Sequence, residues 1–246
     1  MTGNNIKIEE MFNAGVHFGY ARASRHPKMK GFLFGLKNNV EIFDLEKTYE
    51  KLAEATGFMN ELGSNRKKVL FVGTKVDTKY LVKKYAQAIH MPFVTGRWIG
   101  GTLTNFKLVK KRSERLVDLT KKKETGELNK YTKKEKALFD KEISKLSRYF
   151  EGLVSLDELP AAIVVVDAKK EYNMVAEAHK MGVPVIGIIN TDCNPEDIKY
   201  PVPANDNSVS SIDYLLNELS EAYKEGTRNI KLVSVKVDSV EVKKQD

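Results

Sequence analysis

The sequence predicts an α/β fold, a doubly wound parallel sheet with an inserted antiparallel coiled-coil helical hairpin, on three observations. Runs such as KKVLFVGTK (Lys67 to Lys75), AAIVVVDAKK (Ala161 to Lys170) and VPVIGII (Val183 to Ile189) are apolar along their middles, as strands buried on both faces are. They alternate with segments whose apolar residues step by three and four, the period of helices packed on a sheet. From Thr104 to Gly152 the strand pattern stops and helical spacing alone remains. The halves before Leu103 and after Leu153 are small apart and natural together. The reading is therefore one discontinuous domain at 1–103 and 154–225, an insertion at 104–153, and a C-terminal tail at 226–246.

Taken in order, Ile6 to Asn13 suits a short helix with Ile8, Met11 and Phe12 on one face. Ala14 to Phe32 reads as irregular. FLFGLKNNVEIFDL (Phe32 to Leu45) reads as two short strands about an Asn38-Asn39 turn. Asp44 caps a helix through Tyr49, Leu52, Ala55, Met59 and Leu62 that Gly63 stops. The strand after Lys67 leads to a helix opened by Asp77, then to a third strand at PFVTG. Beyond the insertion come the strand at Ala161, a helix from Glu171 to Met181 ended by Gly182, and the strand at Val183. A proline-bounded strand at YPVP follows, then a helix capped by Ser208 with Val209, Ile212, Leu216, Leu219 and Tyr223 aligned. The tail from Gly226 alternates Val with polar residues and suits an edge strand or a loose end.

In the insertion, Phe106, Val109, Ser113, Leu116 and Thr120 step by three and four, as do Phe139, Ile143, Leu146, Phe150 and Leu153. Gly126 marks the break, and Thr132 with Glu135 forms a T-x-x-E capping box. Charge is concentrated here. The whole chain carries 41 Lys and Arg against 33 Asp and Glu, a net +8. Between Lys107 and Arg148 there are 15 bases and 7 acids, and 15 − 7 is the same +8. A solvated helical face usually mixes signs more evenly, so the insertion is the electropositive element and a polyanion its natural partner.

The hairpin is joined to the domain by GRWIGGTLTNF (Gly96 to Phe106), which holds the only tryptophan, Trp98, beside Arg97. An arginine there offers a fork for phosphate and a flat face for stacking. The indole either packs into the joint or stacks, and Thr102 or Thr104 is expected to cap the next helix. Upstream, AGVHFGYARASRHPKMKGF (Ala14 to Phe32) interleaves Arg22, Arg25, Lys28 and Lys30 with aromatic rings, a pattern suited to RNA. Asp167, Asn190, Asp192 and Asp206 fall at strand ends and read as caps and turns rather than as an acid–base pair or a Mg²⁺ site. The four histidines are scattered and Cys193 has no second cysteine to pair with, so neither a zinc site nor an internal disulfide is expected. No cofactor is expected. Gly73-Thr74-Lys75 follows a strand but lacks the GxxxxGK[ST] loop, and no GxGxxG occurs. The opening residues lack the basic and apolar regions of an export signal, and no apolar run is long enough to span a bilayer.

Four strings, AGVHFG…HPKM, NNVEIFDLEKT, GTK…GRWIGGTLTNF and VVVDAKKEYNMVAEAHKMGVPVIGIINTDCNPEDIKYPVPANDNSVSSI, together resemble the bacterial small-subunit ribosomal protein two family, up to about Tyr223. The resemblance implies a flavodoxin-like sheet with a protruding coiled coil and a structural, non-catalytic role in the cytoplasmic ribosome. It implies as partners the small-subunit ribosomal RNA and other small-subunit proteins, including the largest one near the messenger exit. No membrane contact and no homo-oligomer are expected. The residues expected to meet RNA are Arg22, Arg25, Lys28, Lys30, Arg97, Trp98, Thr104, Asn105, Lys107, Lys110, Lys111 and Arg112. The rival readings are a nucleotide-binding α/β enzyme with a basic helical arm, and an adaptor whose hairpin enters a protein groove.

Overall fold

The computed structural model describes residues 3–241, with side chains described from 6 to 229. Helix α1 (Gly3–Asn13) sends Met11 into the core but leaves Phe12 exposed, so the common face expected for Ile8, Met11 and Phe12 is divided. Strands β1 (Phe18–Ala21), β2 (Leu33–Lys37) and β3 (Val40–Phe43) form a small antiparallel sheet in the order β1-β3-β2. The β2–β3 turn places Asn38 and Asn39 at φ 51° and 64°, a left-handed pair that suits a two-residue hairpin loop and that asparagine tolerates. β1 corrects the irregular reading of Ala14 to Phe32. It pairs with β3 at Phe18↔Ile42 and Ala21↔Val40, with a bulge between, and two 3-10 turns (Arg22–Ser24 and Pro27–Phe32) complete the segment.

Helix α2 (Leu45–Ser64) begins as expected, the Asp44 carboxylate accepting the Glu46 N–H at 3.1 Å. Strand β4 (Val69–Val72), helix α3 (Lys79–Ala88) and the two-residue β5 (Phe93–Val94) lead to helices α4 (Phe106–Glu124) and α5 (Lys133–Phe150). Then follow β6 (Ala162–Val166), α6 (Tyr172–Met181), β7 (Val185–Ile189), β8 (Tyr200–Pro203) and α7 (Val209–Glu241). The five strands from β4 onward form one parallel sheet in the order β5-β4-β6-β7-β8. That is the flavodoxin-like order, in which winding reverses between the first and third strands of the sheet, here β4 and β6.

Alternation along the strands divides the core between two faces. Val69, Phe71, Val164, Val166, Ile186 and Ile188 join residues of α2, α3 and α7. Leu70, Val72, Ile163, Val165, Val185 and Ile189 join α6 and the inner stripe of α4 and α5. On the first face Gly63 does not stop α2, which runs on to Ser64. A Cβ at Gly63 would collide with the Tyr223 carbonyl, and one at Gly226 with the Asn60 carbonyl. The two glycines let α2 and α7 pack backbone against backbone. Residues 226–241, expected as an edge strand or loose end, continue α7; residues 242–246 lie outside the described residues.

Helices α4 and α5 pack on each other, joined through Gly126 and a 3-10 turn at Glu127–Lys130. The capping box forms as read: the Thr132 N–H donates to Glu135 at 2.9 Å, and the Glu135 N–H donates to the Thr132 hydroxyl. Arg115–Glu142 at 3.2 Å and Lys123–Asp140 at 2.7 Å bridge the helices. At the root, a Cβ on Gly96 would stand 2.8 Å from the Arg148 carbonyl, and one on Gly152 would strike the Phe93 carbonyl. The pair of helices is thus seated directly on β5.

Candidate nucleic-acid interface

The joint from Gly96 to Phe106 is organised by a residue that reading the sequence did not single out. Glu177, on α6, lies opposite it and accepts four N–H donors. These are the Trp98 indole at 3.1 Å, Gly101 at 2.8 Å, Leu103 at 3.1 Å and Thr104 at 3.3 Å. Burial pushes the Glu177 carboxyl up, but these donors outweigh it and hold it below its ordinary value. Neither threonine caps α4. Its N-cap is Asn105 with no side-chain cap bond, while Thr102 donates its hydroxyl to the Ile99 carbonyl and is buried. The helix start receives its negative charge from Glu177 instead. Trp98 is 7% exposed and packs with Leu103, Val94 and the inner stripe of the helices. Of the two roles expected for the indole, the geometry supports packing, and its face is withdrawn from the surface. Arg97 beside it is exposed, as are Thr104 and Asn105.

The basic segment divides in the same way. Arg25 is turned inward, its guanidinium 3.1 Å from the buried carboxylate of Glu41. Lys28 pairs with Glu196. Arg22 and Lys30 are exposed, and among the described residues no ion pair engages either. The segment is anchored through its backbone, the Tyr20 N–H donating to the Thr191 hydroxyl at 3.1 Å and the His26 N–H to the Thr191 carbonyl at 2.8 Å.

Beneath it, at the carboxyl ends of the strands, lies an internal ion network. The Lys75 ammonium sits 3.0 Å from Asp167 and 3.4 Å from Asp206 and donates to Asn207 at 2.6 Å. Asp206, almost fully buried, also accepts from Asn190 at 2.8 Å and from the Tyr20 hydroxyl at 3.2 Å. Burial pulls the ammonium down, yet the two carboxylates hold it above its ordinary value. The strand-end acids therefore do more than cap and turn. Asp167 accepts the Lys170 N–H at 3.0 Å, as a turn residue would, but with Asp206 it also neutralises the partly buried Lys75. Asp192 pairs with Lys169 at 2.9 Å. The partners of Lys75 lie 92 and 131 residues away in the chain, a separation over which no local pattern speaks.

On the helical pair, Arg115, Lys122 and Lys123 are paired with acids, and Lys110 donates to the Asp157 carbonyl at 3.1 Å. Lys107, Lys111 and Arg112 are exposed in the first two turns of α4, with no ion pair among the described residues. Lys107 and Lys111 are four apart and share a side of the helix. Among the residues expected to meet RNA, open cations thus remain at Arg22, Lys30, Arg97, Lys107, Lys111 and Arg112.

Comparison with known proteins adds two findings. The family model described as Ribosomal protein S2 matches residues 11–226. The chain is also 40% identical, over 238 residues, to the small ribosomal subunit protein uS2 of Fusobacterium nucleatum subsp. nucleatum, an alignment covering 96% of each chain.

Proposed function

The chain belongs to the ribosomal protein S2 family, and from that premise we propose how its geometry serves the small ribosomal subunit. It is a structural constituent of that subunit, associated with its RNA and proteins. Nothing in its relatives supports the rival reading of a nucleotide-using enzyme. No helix among the described residues is long and apolar enough to cross a membrane.

The finer reading assigns the RNA contacts to the open cations. The single observation behind it is the difference between paired and unpaired bases. Arg25, Lys28 and Lys75 are satisfied by the chain's own acids, whereas Arg22, Lys30, Arg97, Lys107, Lys111 and Arg112 keep their donors free for phosphates. Thr104 and Asn105 are exposed between Arg97 and Lys107 and extend that surface with neutral donors. Lys110 lies beside them, and Arg25, Lys28 and Trp98 shape the surface from behind. Helices α4 and α5 act as a coiled-coil arm inserted between residues 104 and 153, carrying positive charge outward from the domain at 1–103 and 154–225. Protein neighbours, the largest small-subunit protein among them, dock on the remainder.

Binding of a small-subunit RNA fragment, measured against salt, tests the reading. The log–log slope should be steep, about −0.7 per phosphate for single-stranded contacts. Replacing Lys107, Lys111 and Arg112 together by glutamate should flatten it. Salt-insensitive binding, or a slope unchanged in the triple variant, would refute the assignment.

A further inference from the structure

Beside the Lys75 network, at the carboxyl ends of β4, β5 and β6, an open cleft of about 380 Å³ is lined by Thr74, Lys79, Arg97, Lys170, Glu171 and Asn173, among others. It adjoins the point where the sheet's winding reverses, which is where open α/β sheets take their ligands. The three cations come from different elements: the first residue of α3, the joint, and the turn before α6. All three are exposed, and among the described residues none has an ion pair or a side-chain hydrogen bond. Other lysines near this sheet are paired, Lys83 with Glu151, Lys84 with Asp213 and Lys169 with Asp192. Helices α3 and α6 both begin at the cleft, and neither N-cap residue makes a side-chain cap bond, so their partial positive ends reinforce the cations.

Glu171 is the one acid in the lining and is only 4% exposed. Its carboxyl accepts the Thr74 hydroxyl. A carboxylate under three cations would work against a bare phosphate, but it suits a ligand that brings a hydroxyl donor next to its phosphate. Ribose does so through its 2′-hydroxyl, the group by which proteins tell RNA from DNA.

We propose that this cleft holds one ribonucleotide unit of an RNA strand, with Lys79, Arg97 and Lys170 around the phosphate and Glu171 accepting the 2′-hydroxyl. The proposal rests on the RNA-binding reading above and adds to it a site with a sugar preference. A free nucleotide carries the same chemistry, so the test separates the two sources.

Fluorescence anisotropy of the full chain would use a labelled single strand of roughly ten nucleotides, as RNA and as DNA of the same sequence. The wild type should prefer RNA by about tenfold, the worth of one charge-assisted hydrogen bond. The double variant Lys79→Ala/Lys170→Ala, at exposed positions, should bind RNA more weakly, with a salt slope shallower by about 1.4 for two lost contacts. Glu171→Ala should keep most of the phosphate-driven binding but lose the preference for RNA. If the double variant keeps wild-type affinity and slope while the Lys107/Lys111/Arg112 variant loses both, the cleft is refuted and the RNA reading survives. If the wild type binds neither strand, both fall. Displacement of the RNA by an equal concentration of ADP would assign the unit to a free nucleotide and overturn the RNA source.

Discussion

The carboxyl ends of the sheet strands and the start of helix α4 handle positive charge in opposite ways. At the strand ends, Lys75 is mostly buried and meets two carboxylates, the Asp206 backbone carbonyl and the Asn207 side-chain amide. On the first two turns of α4, Lys107, Lys111 and Arg112 stand in solvent with no ion pair among the described residues. Both regions are lysine-rich in sequence, so residue type alone does not separate structural cations from available ones. Burial does. A cation removed from water must be neutralised by the protein, whereas one left in water is free for an external anion.

Breaking the first half of that contrast should have the largest effect. Lys75→Met leaves Asp206 buried without its cation and should cost about 3 kcal/mol in urea unfolding. An unchanged midpoint would mean that the network is idle. Next, Gly226→Ala forces a methyl group against the Asn60 carbonyl where α2 and α7 meet. Overpacking of that kind should cost about 2 kcal/mol, and a loss below roughly 0.5 would show that the helices can part freely.

Glu177→Ala comes third, at about 1 to 2 kcal/mol, because several N–H groups of the joint lose their acceptor. Its pH dependence has a definite sign. The folded Glu177 is held below its ordinary value, so its contribution is present above the unfolded carboxyl's pKa and is lost as pH falls through the folded one. The stability difference between wild type and variant should therefore shrink on acidification below about pH 4. A difference that grew there would contradict the assignment. Smallest for stability is the triple change of Lys107, Lys111 and Arg112 to Glu, expected within about 0.5 kcal/mol, while under the proposed assignment RNA binding should weaken. A large unfolding shift would show that these bases serve the fold after all.

Much of the fold was legible because its signals are local. Val69–Val72, Ala162–Val166 and Val185–Ile189 are buried along their whole length, and apolar runs between helical patterns announce that. Asp44, the Asn38-Asn39 turn and the Thr132–Glu135 box act within a few residues. Other features depend on distant partners. Phe18–Ala21 becomes a strand only because β3 pairs with it, and its own pattern is half exposed. Gly63 reads as a stop until Tyr223 is seen against it. The tail's alternating valines suggested a strand, yet residues 226–241 extend α7. At the candidate interface, charge excess located the basic region, but which bases are free depends on Glu41, Glu196, Asp167 and Asp206, set from 16 to 168 residues from the bases they pair. Glu177 gave no signal at all, since its donors lie 73 to 79 residues upstream.

The length of the α4–α5 pair sets its reach. Helix α5 has 18 residues and so extends about 27 Å, while its root is held closely by Gly96 against the Arg148 carbonyl and by Gly152 against Phe93 of the two-residue β5. Over that length a tilt of about 10° at the base would sweep the far end through about 5 Å. That is roughly the width of a single nucleotide step.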